Sequence, residues 1–90
     1  MSKLDWNNLK YFLAVARTGG LTPAAEQLNT SASTVSRHLD AMEATLNMRL
    51  FLRQQRGYLL TDEGSAILEQ VIEVERAMQS VEQIGRASCR

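Results

Sequence analysis

Within thirteen residues, from Gly19 to Ser31, the chain reads GGLTPAAEQLNTS, which contains two helix stops and two helix starts. Gly19 and Gly20 end the segment before them, one of the two taking the left-handed conformation past the helix end. Thr22 is placed to cap a second helix, with Pro23 at its first position, where a missing N–H costs nothing. Asn29 and Thr30 make a tight turn, and Ser31 caps a third helix. Between such closely set signals only a short helix fits, so this part of the chain is predicted to fold as helix, tight turn, helix. Ala24, Ala25 and Leu28 form its inward face, and the alanines are small enough to let a neighbouring helix approach closely.

The flanks supply the rest of the architecture. A first helix is predicted from about Asp5, its N-cap, to Thr18. Leu9, Phe12, Leu13 and Ala16 recur at helical spacing as its buried face, with Trp6 half-buried beside it. The third helix runs to about Leu46. Val35, Leu39, Met42 and Leu46 are spaced four, three and four, a single apolar stripe. Asn47, tolerant of the left-handed conformation, ends it. From Arg49 to Leu60 the sequence is RLFLRQQRGYLL, two short apolar runs around a polar centre with Gly57. It is either a small β-hairpin or a looser extended wing. Thr61 caps a last, long helix whose first turn holds Asp62 and Glu63, which suits the helix dipole. Ile67, Val71, Val74, Met78 and Val81 are spaced four, three, four and three, the narrow seam of a coiled coil. Leu68 and Ile72, on the adjacent face, are expected to pack back on the first helix. Nothing else in the chain is large enough to cover the seam, so it is predicted to pair two copies. The last residues, GRASCR, do not continue it and read as a frayed end or a cloning remnant.

The fold class expected is therefore mostly α. A winged helix-turn-helix over residues 1–60, three helices plus a short hairpin, is followed by a linker helix over 61–84 and a tail over 85–90.

Ninety residues make at most one small domain, and 44% hydrophobic residues can supply its core. A chain this short is near the lower range for burying enough surface, so a partner subunit would help. Cys89 is the only cysteine, which rules out an internal disulfide and suits a reducing cytosol. No apolar run approaches the ~18 residues of a membrane span, and no signal-peptide core opens the chain. A soluble, cytoplasmic protein is expected. Net charge is zero, but its distribution is polarised. From Ser31 to Leu60, Arg37, Arg49, Arg53 and Arg56 stand against Asp40 and Glu43. From Thr61 to Ile84, Arg76 stands alone against Asp62, Glu63, Glu69, Glu73, Glu75 and Glu82. The middle is basic and the last helix acidic.

The third helix carries the functional signal. Serine and threonine are mediocre helix formers, yet Leu28 to Leu39 reads LNTSASTVSRHL. With one apolar stripe the helix has a free face, and on it lie Ala32, Ser33, Ser36 and Arg37, with Thr34 close by. Small residues at a helix N-terminus let the backbone enter a DNA major groove. Hydroxyls can bond phosphates or base edges, and Arg37 can reach a guanine bidentately or a phosphate. The blander reading of Arg37 is a surface charge beside Asp40 or Glu43. Thr22 and Ser31 are caps that can also present a backbone N–H to phosphate.

Residues from about Leu4 to Val71 resemble the N-terminal DNA-binding domain of LysR-type transcriptional regulators. The matching pieces are LKYFLAVARTGGLTPAAEQLNTSASTVSRHLDAMEATLNMRLF and FLRQQRGYLLTDEG. They hold the aromatic-containing first helix, the T-x-A-A-E-x-L second helix, the S-x-x-x-V-S-R third helix, the L-F-x-R-x-x-R wing and the closing L-T-x-x-G. The acidic helix after them resembles the family's linker helix, through which two subunits pair. The resemblance implies a sequence-specific regulator that binds double-stranded DNA, at an interrupted palindrome, as a dimer or tetramer. By match, Thr22, Ser31, Ser36 and Arg37 touch DNA from the helix-turn-helix, and Arg53 and Arg56 serve the wing, Arg53 at the minor groove or backbone. Two departures stand out. Where the family often has Gln-Pro after the capping serine, this chain has Ala32 and Ser33, which removes a long base-reading amide. Where it often has glycine closing the third helix, this chain has Asn47. The family's full chain continues into a domain that senses a small-molecule effector, and no such domain is present in these residues. A fragment or a natural truncated form is expected.

No cofactor, metal or catalytic centre is expected. His38 is the only histidine. Beside Ser36 and Asp40 it stands at i, i+2 and i+4, which do not converge on one helix. One histidine and one terminal cysteine make no metal site. The rival reading is a winged-helix protein-interaction module that works without DNA through its acidic helix.

Overall fold

A computed structural model describes residues 6–88 other than Arg56, with side chains as far as Glu82. Asp5, Arg56 and Cys89, each singled out in the sequence, lie outside the described residues. Four helices and one hairpin follow in the order α1 (Trp6–Thr18), α2 (Leu21–Leu28), α3 (Ala32–Leu46), β1 (Phe51–Gln54), β2 (Gly57–Leu60) and α4 (Asp62–Ser88). The mostly helical winged architecture is the one expected, and the wing is a true antiparallel hairpin with Phe51 opposite Leu60 and Arg53 opposite Tyr58.

The core forms where α1, α2 and α3 meet. Phe12, Leu13, Val15, Ala24, Ala25, Val35, Leu39 and Met42 are all buried there. Ala14 and Val15 go beyond the predicted stripe of α1, because that helix is covered by α2, α3, β2 and α4 on several sides. Leu50 and Phe51 carry the core into the wing, where Phe51 meets Phe12 and the edge of Tyr58 at ring-centroid distances of 5.3 and 5.8 Å. Trp6 is half-buried, as read from the sequence.

The helix ends follow local chemistry. Gly19 at φ +85° closes α1, and its N–H donates to the Val15 carbonyl. Asn29 and Asn47, at φ 58° and 53°, close α2 and α3. The Ser31 hydroxyl accepts from the Thr34 N–H at 3.2 Å. Thr61 Oγ1 accepts from the Gly64 N–H at 2.9 Å while donating to the Arg49 carbonyl at 2.6 Å.

Three expectations are corrected. Thr22 does not cap α2: the helix begins at Leu21, and extended Gly20 precedes it with no side-chain cap. Pro23 is then its third residue, which costs nothing because first-turn N–H groups have no partner within the helix. Ile67 and Val71 do not belong to an open seam. Val71 is 3% exposed and Ile67 packs against the core, because the first turns of α4 lie on α1 and β2. Finally, α4 does not stop near Ile84 but continues to Ser88. Gly85 is tolerated there at a cost of ~1 kcal/mol relative to alanine.

The molecule measures 50 × 29 × 19 Å. At ~1.5 Å per residue α4 is about 40 Å long, so it sets the long axis. Arg17 on α1 fastens it to the core with two bonds to Glu75, at 2.7 and 3.3 Å. No helix among the described residues is long and apolar enough to cross a membrane.

Candidate nucleic-acid interface

The site begins with why α3 exposes one side. Its apolar stripe is spent on the core: Val35, Leu39 and Met42 are each no more than 1% exposed. His38 adds a lateral anchor. Its ring stacks on Tyr11 of α1 at 4.1 Å and 8° between planes, and its Nδ1 lies 2.6 Å from the Asn8 side-chain oxygen. An N–H at Nδ1 therefore donates to Asn8, and the ring is committed to holding α3 against α1. The side away from these contacts carries Ser33 and Arg37 in the open, with Ala32, Thr34 and Ser36 half-exposed.

At the N-terminus of α3 the hydroxyls form a small network. Ser31 Oγ lies 2.9 Å from Thr34 Oγ1 and 3.2 Å from Ser33 Oγ. The cap thus fixes the rotamers of its neighbours while leaving Ser31 and Ser33 exposed. One turn further on, Arg37 is exposed and, among the described residues, makes no ion pair. It is a long, uncommitted guanidinium on the open face, suited to bidentate contact with a base edge or a phosphate.

Thr22 sits in the first turn of α2, exposed, beside an open recess that also takes in Gln54, Gln55 and Tyr58 of the wing. The wing is tied to this corner through backbone. Tyr58 N–H donates to the Gly19 carbonyl at 2.9 Å, and a Cβ on Gly57 would fall 2.5 Å from that same oxygen. Gly57 is at φ +145°, so close approach and conformation both call for glycine. Thr22 and the wing are therefore brought together at one corner of the molecule.

Arg53 makes contacts within the molecule that the sequence did not announce. Strand alternation puts Phe51 and Arg53 on one face of β1, and Phe51 is buried, so Arg53 turns back toward α3. Its guanidinium pairs with Asp40, lies 3.5 Å from Glu43 Oε1, and sits 5.6 Å from the centre of the Tyr58 ring. The hydrogen bond that Arg53 donates to the Asp40 carboxylate raises its pKa. Glu43 is the fixed member of the group: its Oε2 accepts from the N–H groups of Leu50 and Phe51 at 2.8 and 3.3 Å. One carboxylate on α3 thus sets where the wing begins. The sequence reading missed Asp40 and Glu43 as wing partners. The available signal was two acids three residues apart on a helix followed by a basic hairpin.

The predicted seam of α4 divides. Val74, Met78 and Val81 are 42%, 39% and 67% exposed, and with Ala77 and Glu82 they line a shallow apolar groove. Among the described residues no group of three or more His, Cys, Asp or Glu side chains could hold a metal ion.

Residues 6–65 match the family model described as bacterial regulatory helix-turn-helix protein, lysR family. The chain is 40% identical over 80 residues to the uncharacterised HTH-type transcriptional regulator YvbU of Bacillus subtilis, covering 88% of this chain and 27% of that protein. It is 42% identical over 67 residues to the HTH-type transcriptional activator AmpR of Citrobacter freundii, covering 74% of this chain and 23% of that one. The chain thus spans about a quarter of the length of these relatives. Its fold superposes on the crystal structure of a CbnR DBD–DNA complex with a TM-score of 0.87 at 34% identity, over 97% of this chain and 100% of that one. With the family's model matched across the helix-turn-helix, the wing and the start of α4, this chain belongs to the lysR family of bacterial regulatory helix-turn-helix proteins.

Proposed function

We propose that this chain is the sequence-specific DNA-binding part of a cytoplasmic transcriptional regulator. The N-terminal half of α3 enters the major groove, with Arg37 reading a base edge and Ser31, Ser33, Thr34 and Ser36 at phosphates or base edges. Ala32 keeps the backbone close. Thr22, Arg53 and Arg56 serve flanking phosphates or the minor groove. Residues 1–60 form the reading unit, and α4 from residue 61 pairs two copies so that two α3 helices address an interrupted palindrome. The observation that carries this reading is the open, capped, hydroxyl-rich start of α3 with the exposed Arg37 one turn along. The family membership and the CbnR complex with DNA support it.

The test is a binding selection on random duplex DNA at two salt concentrations. Enrichment of an interrupted palindrome is the expected result. Salt-sensitive binding with no enrichment would mean that α3, carrying Ala32 and Ser33, reads phosphate alone. No binding even at low salt would overturn the reading in favour of a protein-interaction module.

A further inference from the structure

Three charged side chains tie the wing to α3, and they are not equivalent. Glu43 is 13% exposed and already accepts two backbone N–H groups, so it stays where it is. Asp40 is 57% exposed, and its hydrogen bond is to Arg53. Arg53 is 35% exposed and is the cation carried on the described strands of the hairpin. Asp40 follows Arg37 by three residues, which sets it on the neighbouring surface of α3, between the reading face and the wing.

We infer that Asp40 competes with DNA for the wing arginine: its carboxylate holds Arg53 in the free protein, and a phosphate takes the guanidinium from it on binding. The inference rests on the DNA-binding reading and adds a residue that sets its affinity. Carboxylate and phosphate both accept from the same fork of N–H donors, so the exchange trades one anion for another. Only the difference appears as affinity. The carboxylate left behind faces the duplex and opposes it. The wing therefore contributes less to binding than its charge implies, and Asp40 sets how much less.

A double-mutant cycle tests this, with the whole chain binding a fixed duplex at low salt: wild type, Asp40→Asn, Arg53→Ala and the double variant. Breaking an exposed ion pair is a small effect, so Asp40→Asn should tighten binding by roughly two- to fivefold beyond the gain it gives in the Arg53→Ala background. Equal gains in both backgrounds would overturn the inference, since Asp40 would then act on DNA only as a nearby negative charge. Weaker binding by Asp40→Asn would also overturn it, since the pair would then survive in the complex and position the wing. If the wild type itself fails to bind duplex, the DNA-binding reading falls and this inference with it, so the two failures are distinct.

Discussion

Two arginines within seventeen residues hold opposite states. Arg37 stands exposed on α3 with no ion pair among the described residues, whereas Arg53 is held by Asp40 and Glu43. The difference predicts different losses. Arg37→Ala should weaken specific binding by ~1–3 kcal/mol and relax preference at one base position, read from a selection repeated with the variant. An unchanged preference would remove Arg37 from the reading set. Glu43 makes a prediction about folding instead. Glu43→Ala leaves the N–H groups of Leu50 and Phe51 without their acceptor, at a cost of ~1–3 kcal/mol. Glu43→Gln keeps an oxygen there and should lose much less. Amide exchange at Leu50 and Phe51 should quicken in the first variant far more than in the second, and equal exchange would show that the bond does not anchor the wing. The exposure of Arg37 was legible in the sequence, because helical period separates α3's apolar stripe from its open face. The tethering of Arg53 was not, because a pair 13 residues apart in the chain depends on how the hairpin folds back on the helix.

At the scale of elements, caps were legible where the residue at the helix end carries the signal, a hydroxyl that accepts or an asparagine that takes the left-handed conformation, and illegible where the helix starts with neither. Ser31, Asn47 and Thr61 announced their helix ends correctly, each through chemistry within four residues. Thr22 did not, since α2 starts from an extended Gly20 with no side-chain bond at all. The α4 start shows what local reading leaves out. Gly64 lies in the first turn of a helix, where alanine would ordinarily be the better residue by about 1 kcal/mol. Yet a Cβ at Gly64 would fall 2.1 Å from the Leu50 carbonyl oxygen, a backbone atom that also accepts from the Thr61 N–H at 3.0 Å. The close approach outweighs propensity. Gly64→Ala should therefore destabilise the fold by ~1–3 kcal/mol, the usual range for overpacking. For a domain this small that lowers the melting temperature by roughly 4–8 °C per kcal/mol. A variant that melts at or above the wild-type temperature would show that the junction between wing and α4 can shift to make room.

At the scale of the whole molecule, one row of apolar residues on α4 serves two purposes. Heptad spacing describes the helix alone and carries no information about which of its turns another element covers, so the row looked uniform from Ile67 to Val81. In the folded chain the first turns lie on α1 and β2, and Arg17 holds Glu75 near the point where α4 leaves the core. From about that point on, Val74, Met78 and Val81 are turned to solvent on a helix that projects from the body. If α4 pairs two copies, the two halves of the row must respond differently to mutation. Val71→Ala opens a cavity in the core and should cost about 2 kcal/mol of stability, with self-association affected only through folding. Met78→Glu and Val81→Asp add a negative charge to a helix whose sequence already holds Asp62, Glu63, Glu69, Glu73, Glu75 and Glu82 against Arg76 and Arg86, and would place like charges together across a twofold axis. Each should leave the thermal melt of the dilute chain nearly unchanged while shifting sedimentation from dimer to monomer over the same concentration range. A Met78→Glu chain that sediments as the wild type does would move the pairing surface elsewhere. It would leave the exposed half of the row needing another partner, because a contiguous apolar strip on a projecting helix is seldom left uncovered.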